Sequence, residues 1–315
     1  MIPVGMVAPG QRRPGIWRGG VLQIHVTRAC DLACHHCTQG SNLAGKPAMM
    51  TVDQFRRACR SLRGYFGVIG MFGGNPTMHP RFEDLCAIMR DEVPYLQRGL
   101  WCNRLHGKGA AARETFCPQH SNLNVHMDSD AYDEFARDWP ESRPYLKGLE
   151  RDSVHGPPFV ALKNVVPDEA ERWRLIGDCD VNRYWSALIG VVRGELRAFF
   201  CEIAYSQAAL HESNPDWDGT GQPMPDTGLP VVPGWWRLPM QAFSEQVRTH
   251  CHACGIPLRR EGQLAIGGDR EEFSETHRFI ARPKAKGRPV QFVTIGGARP
   301  DRPATEYLPG TTPRA

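Results

Sequence analysis

Val21-Leu-Gln-Ile-His-Val-Thr-Arg-Ala-Cys-Asp-Leu-Ala-Cys-His-His-Cys37 is an alternating apolar segment that runs straight into three cysteines spaced C-x3-C-x2-C. Val21, Ile24 and Val26 with their neighbours read as a short β-strand, and the loop behind it brings Cys30, Cys34 and Cys37 near enough to share one metal centre. The informative count is three thiolates rather than four. Structural zinc prefers four closed ligands, commonly two separated C-x2-4-C pairs, whereas a tight triplet suits an iron–sulfur cluster with one iron left open. An open iron is a place for chemistry, and zinc is the alternative for a triplet read by itself.

The chain around this stretch has 315 residues, 41% hydrophobic and 23% charged, enough for one sizeable core with an appended module. Its formal charge of +4 permits a phosphate-bearing partner without requiring one. Eleven cysteines with no signal-like opening after Met1 argue against a secreted disulfide scaffold. No apolar run approaches the roughly 18 residues of a membrane span. A cytoplasmic location is therefore expected, where thiols stay reduced and clustered cysteines mean metal or catalysis.

In chain order, residues 1–20 are rich in Pro and Gly and read as a loose arm over the domain. Thr51 and Gln54 form a capping box ahead of a helix striped by Val52, Phe55, Cys59 and Leu62, with Cys59 a core thiol. Gly67 to Phe72 reads as a second strand, ending in Gly73-Gly-Asn-Pro-Thr77 before a helix striped by Phe82, Leu85 and Met89. Glycines at a strand's carboxyl end let a small ligand approach the backbone, at the face where α/β barrels build their sites. Leu96 to Asn103 reads as a third strand and Asn122 to Ser129 as a fourth, with His126 on it. Ser129 or Asp130 is an alternative helix cap ahead of Tyr132 and Phe135. Pro158 to Val166 reads as a fifth strand, ending near Asn164, and Pro167-Asp-Glu opens a helix. A sixth strand falls within Tyr184 to Val192, and Arg193-Gly194-Glu195 turns into Leu196 to Phe200.

With Cys30, Cys34, His36 and Cys37 after a first strand, the chain resembles the radical SAM enzymes, whose signature is C-x3-C-x-(aromatic)-C. The resemblance implies an α/β fold built on a partial (β/α)6 TIM-like barrel, a 4Fe-4S cluster on the three cysteines, and S-adenosylmethionine (SAM) bound to that cluster. His36 occupies the aromatic position that contacts adenine. Gly73, Gly74, Asn75 and Pro76 are similar to the family's Gly-Gly-Glu-Pro motif, which holds the methionine amino group, with Asn75 in place of Glu. By position Asn103, Asp128, Ser129 and Asn164 join the SAM contacts. The resemblance further implies an electron donor such as flavodoxin or ferredoxin, and a 5′-deoxyadenosyl radical that abstracts hydrogen. A barrel of six strands leaves a lateral gap that suits a bulky, macromolecular substrate. A base in nucleic acid, rearranged in a DNA hypermodification pathway, and a peptide are the two forms weighed, with a small metabolite as a further class.

Downstream of the barrel a helical stripe of Met240, Phe243 and Val247 delivers His250-Cys-His-Ala-Cys-Gly255. Together with Cys179 before the sixth strand and Cys201 after the hairpin, Cys251 and Cys254 make a plausible four-thiolate set. This arrangement is similar to the twitch and SPASM auxiliary-cluster domains and implies one second 4Fe-4S cluster; zinc is the rival, and would make the chain a zinc-stabilised binding protein. His250 and His252 are expected at the surface, Cys86, Cys102 and Cys117 in the packing, and Glu202 in a salt bridge. The expected organisation is an arm at 1–20, a barrel at 21–192, an auxiliary-cluster module at 193–280 and a basic Pro-rich tail at 281–315.

Overall fold

A computed structural model describes residues 20–34, 36–41, 43, 48–125, 128–144, 157–177, 179, 186–258, 271–282 and 290–294. The expected N-terminal arm before Gly20, His126, the start of the sixth strand at Tyr184 and almost all of the basic tail lie outside the described residues.

The core strand is β1 (Val21–Thr27), buried from Leu22 onward. It has strand neighbours on both edges, so its sequence needs apolar or fully satisfied residues on both faces. β1 pairs in parallel with β2 (Val68–Gly73) on one side, and β2 with β3 (Arg98–Cys102), which meets the short β4 (Asn122–Leu123). On its other side β1 pairs in parallel with β5 (Ser186–Val192). β5 turns into antiparallel β6 (Glu195–Phe199), and β6 pairs with β7 (Leu229–Pro230), giving a seven-stranded sheet in the order β4-β3-β2-β1-β5-β6-β7. The β5–β6 turn needs positive φ at both central positions; Arg193 sits at 51° and Gly194 at 81°. β8 (Glu271–Phe273) and β9 (Val290–Phe292) form a separate parallel pair.

Helices fill the crossovers. α1 (Val52–Ser61) starts in the expected capping box, Thr51 with Gln54, and buries Phe55 and Cys59. α2 (Phe82–Glu92) buries Phe82, Leu85 and Met89, and Cys59 and Met89 bring their sulfurs to 3.9 Å. α3 (Gly109–Thr115) and α4 (Ser129–Asp138) continue the outer layer. Cys86, Cys102 and Cys117 are buried, as packing thiols should be.

Two strand expectations need correction. Pro158 to Val166 is not a strand: it holds a turn and then α5 (Leu162–Val165), ahead of α6 (Glu169–Gly177). Its backbone polar groups are satisfied by loops, Phe159 O by Ser274 N, Ala161 N by Ser274 Oγ and Lys163 N by His252 O. A short apolar run reads alike in a buried strand and a buried turn, which is why it misled. The expected fourth strand, Asn122 to Ser129, is shorter, since β4 ends at Leu123 and Ser129 opens α4; the expected sixth strand is present as β5 and lies beside β1. The large parallel α/β sheet of a partial TIM-like barrel stands with this order.

α7 (Glu202–Leu210) is buried from Ile203 to Leu210 and packs on β5. Gly190 of β5 makes room for it, since a Cβ there would lie 2.1 Å from the Tyr205 ring. Gln23 and His25 of β1 reach α7 through Glu202 and Tyr205, so alternation turns Leu22, Ile24 and Val26 to the opposite face, where α1 packs. One continuous apolar core joins residues of β1, α1 and α2 to Trp217, Phe243 and Val247 beyond β6.

Candidate functional site

The cysteine loop leaves β1 and is fixed from three directions. Thr27 Oγ1 accepts from Ala29 N at 2.9 Å. Gly74 N donates to Thr27 O at 2.8 Å and Asn75 N to Ala29 O at 2.7 Å, which zips the end of β2 onto the approach to Cys30. Asn103, just beyond β3, donates through Nδ2 to Asp31 Oδ1 at 2.9 Å, and His106 Nε2 lies 3.4 Å from Asp31 Oδ2. Cys30, Cys34 and Cys37 are half-buried and none is in a disulfide. Burial pushes the Cys30 thiol up, and the neighbouring Cys37 and Cys34 push it further. Three thiolates crowded together repel one another until a cation neutralises them, so this donor set fits a metal centre.

The glycines of the Gly73-Gly-Asn-Pro76 segment have a packing reason that spacing does not reveal. A Cβ at Gly73 would stand 2.3 Å from Thr27 O, and one at Gly74 would stand 2.4 Å from Ala29 O. Asn75 is fully buried with Pro76 beside it. Its Oδ1 accepts from Thr77 Oγ1 at 2.9 Å and its Nδ2 donates to Arg104 O at 3.1 Å, so the amide caps the following turn. His36 holds a positive φ of 51°, is buried, and sets Nε2 3.1 Å from Glu272 Oε2.

Asp128, not Ser129 or Asp130, is the N-cap of α4: its side chain accepts from Ala131 N at 3.0 Å, while Ser129 is exposed. Asn164 lies in α5 rather than at a strand end. Its Oδ1 accepts from Ser274 Oγ, Thr276 N and Thr276 Oγ1 at 2.8, 3.1 and 2.7 Å, tying α5 to the segment after β8.

The second cysteine set converges. Cys179, Cys201, Cys251 and Cys254 line one cavity with Ile176, Phe200, Ile203, Ala204, Ile256 and Pro257. Burial raises the Cys251 and Cys254 thiols well above their ordinary range, and the other cysteines of the set raise them further. Among the described residues no three His, Cys, Asp or Glu side chains close around a single ion position. What both sets offer is therefore donor chemistry rather than a preformed one-ion cage.

His250 is not at the surface. It is buried, with Nδ1 3.0 Å from Gln207 Oε1 and Nε2 2.8 Å from Thr227 Oγ1. Ala253 O, between Cys251 and Cys254, receives Gln207 Nε2 at 3.0 Å and His277 Nε2 at 2.7 Å. With its Nε2–H donating there, His277 accepts at Nδ1 from His211 Nε2 at 3.1 Å, and His211 Nδ1 accepts from Asn214 Nδ2 at 3.1 Å. Burial lowers these rings first and foremost, His211 to about 2, His250 to about 3 and His277 to about 4, so they are neutral. Sequence reasoning missed Gln207, His211 and His277 as supports of the C-x2-C loop, because the chain distances between them carry no local pattern. Glu202 Oε2 accepts from Gln23 Nε2 at 3.1 Å.

Residues 24–133 match the family model described as the Radical SAM superfamily. That span contains the first cysteine loop, the Gly73-Gly-Asn-Pro76 segment, Asn103, Asp128 and Ser129. Among solved structures, the crystal structure of BtrN in complex with AdoMet and 2-DOIA aligns at 13% identity with a TM-score of 0.39, over 60% of this chain and 75% of that one. No protein with a curated description matches the chain. Among the described residues no helix is long and apolar enough to cross a membrane.

Proposed function

We propose that this chain, a radical SAM enzyme by the domain at residues 24–133, uses Cys30, Cys34 and Cys37 to hold a 4Fe-4S cluster and abstracts hydrogen from a bulky substrate. The observation that carries this reading is the trio of half-buried thiols on a loop directly after the central parallel strand, with Cys34 and Cys37 close enough to raise the Cys30 thiol. When bound, the cluster supplies the electron that cleaves SAM to methionine and a 5′-deoxyadenosyl radical, the hard step that belongs to the cofactor. The protein's share is position and exclusion of water.

In this account Asn103 and the Gly74 and Asn75 amides hold the cysteine loop in place. Gly73, Gly74, Asn75 and Pro76 at the end of β2, Asn103 after β3, and Asp128 with Ser129 at the start of α4 border SAM on the β2 and β3 side of the loop. Asn75 takes part through its backbone carbonyl, which accepts from Met78 N and can accept once more, because its side-chain amide is engaged by Thr77 and Arg104 and its N–H by Ala29 O. His36, anchored by Glu272, flanks the adenine. Asn164 acts indirectly, by holding the Ser274 to Thr276 segment.

Cys179, Cys201, Cys251 and Cys254 hold a second 4Fe-4S cluster in the same reading. Apart from His250, their cavity is walled by apolar side chains, which suits a buried, low-dielectric redox centre. Zinc is the second reading, since four thiolates satisfy it equally. The basic balance of the chain favours a nucleic-acid base over a peptide as substrate, and a flavodoxin or ferredoxin serves as electron donor.

The test is metal and acid-labile sulfide analysis after anaerobic purification. About eight iron and eight sulfide per chain are expected, falling to about four of each in the Cys251→Ser/Cys254→Ser variant. A colourless protein with stoichiometric zinc would overturn the reading.

A further inference from the structure

Three polar residues at β1 stay deeply buried without completing their hydrogen bonds. Gln23, His25 and Arg28 are 4%, 2% and 5% exposed. Arg28 Nε and Nη2, His25 Nε2 and Gln23 Oε1 have no hydrogen-bond partner, and among the described residues Arg28 makes no ion pair. Burying a guanidinium without a counter-charge costs several kcal/mol, and buried charges in proteins are accordingly paired.

The rest of each side chain is fixed. Gln23 Nε2 donates to Glu202 Oε2 at 3.1 Å, which turns Oε1 away from that carboxylate. His25 Nδ1 is 3.1 Å from Tyr205 OH. With Tyr205 donating, the phenol proton is used and Nε2–H is left as a donor; the opposite tautomer would strand both the phenol proton and the Nε2 lone pair. Burial, and after it Arg28, holds His25 well below its ordinary pKa, so the ring is neutral and this tautomer persists. The His25 ring lies 4.7 Å from the Tyr205 ring centroid and the Arg28 guanidinium carbon 5.7 Å from it, so both pack on one aromatic platform. The unfilled groups are thus three donor nitrogens, two of them on the positively charged guanidinium, and one carbonyl acceptor.

We propose that Arg28, His25 and Gln23 form a substrate subsite for an oxyanion, carboxylate or phosphate, with a hydrogen-bond donor beside it for Gln23. An oxyanion accepts the guanidinium N–H groups in charge-assisted geometry and takes the imidazole N–H at another oxygen. Arg28 precedes Cys30 by two residues, at most about 7 Å of chain, so a ligand seated there borders the cysteine loop. The three side chains lie on the face of β1 that meets α7, toward β5, whereas the SAM contacts proposed above lie toward β2 and β3. That separation gives the oxyanion to the substrate and not to the carboxylate of SAM. Calling the ligand a substrate rests on the proposed function; the anion site itself does not.

The test is calorimetric titration of the reconstituted full-length protein with inorganic phosphate, with acetate and, separately, with SAM. Saturable binding of phosphate or acetate is expected in the wild type, weakened tenfold or more in Arg28→Met and in His25→Phe, with SAM affinity unchanged within twofold. Either variant alone suffices if the other fails to fold, as judged by circular dichroism and iron content. The absence of saturable anion binding, or equal binding in the folded variants, overturns the proposal. So does a parallel loss of SAM affinity, which would give the pocket to SAM. If anion binding depends on Arg28 yet no 5′-deoxyadenosine forms under any condition, the subsite stands and the proposed reaction falls.

Discussion

Asn103 Nδ2 donates to Asp31 Oδ1 over 2.9 Å, which fastens the loop of Cys30, Cys34 and Cys37 to the end of β3. A hydrogen bond to a carboxylate contributes about 1–2 kcal/mol where it is partly shielded from water. Asn103→Ala should leave the fold intact, with a melting temperature within a few degrees of wild type. Iron bound to the first cysteine set should be lost several-fold faster to an external chelator, followed by absorbance. Unchanged release would mean that the tether does not hold the loop.

Gly74 and Gly107 make opposite use of glycine. A Cβ at Gly74 meets Ala29 O at 2.4 Å, a backbone atom that cannot step aside, while Gly107 has open space and a φ of +72°. Gly74→Ala should therefore push β2 off the cysteine loop, costing about 1–3 kcal/mol and lowering iron incorporation. Gly107→Ala carries only the left-handed backbone penalty of about 1 kcal/mol and should incorporate iron normally. Urea unfolding with iron analysis on the two variants separates these outcomes.

His36 and Glu272 form a buried pair at 3.1 Å that joins the cysteine loop to β8. Removing one partner of a buried hydrogen bond costs about 1–3 kcal/mol. Glu272→Ala should lower the denaturation midpoint accordingly, and Glu272→Gln, which can still accept a hydrogen bond, should recover most of it. Equal losses in both variants would show that charge rather than hydrogen bonding dominates the contact.

The neutral histidines behind the second cysteine set give the fold an acid limit. His211, His250 and His277 have folded-state pKa values lowered to about 2, 3 and 4 from an ordinary 6.5. Between about pH 6.5 and 4 the unfolded chain then binds more protons than the folded one, so stability is full above the unfolded pKa and falls as pH drops. The slope is roughly 1.4 kcal/mol per pH unit for each histidine. Urea unfolding of metal-free protein at pH 7.0 and 5.5 should show this loss, and His211→Asn should flatten it by about one histidine's share. A pH-independent midpoint across that interval would contradict the neutral network.

The candidate ligand residues stand out in the sequence because their signals are local or rare. Cys30, Cys34 and Cys37 announce themselves by spacing, Thr51 and Gln54 by reciprocal capping, and the turn at Arg193-Gly194 by its two short apolar flanks. Cys179, Cys201, Cys251 and Cys254 could be grouped because unpaired cysteines are scarce enough to count. Pro158 to Val166 was illegible because apolar composition reports burial and not conformation. The same holds for His250, which looks solvated in sequence and is buried only because Gln207 and Thr227 come to it from distant segments. Arg28 carries no pattern of its own in the sequence, and only the fold shows it buried against Tyr205 of α7. Asn75 carries the sharpest lesson: its place matched a ligand motif, while its side chain is engaged by Thr77 and Arg104.

The most direct test of the central claim is 5′-deoxyadenosine formation from SAM by the anaerobically reconstituted, dithionite-reduced protein, quantified by liquid chromatography and mass spectrometry. The account predicts product with the wild type and none above background with Cys34→Ala. Product formed equally by Cys34→Ala, or none formed by wild type carrying its full iron and sulfide, would contradict it.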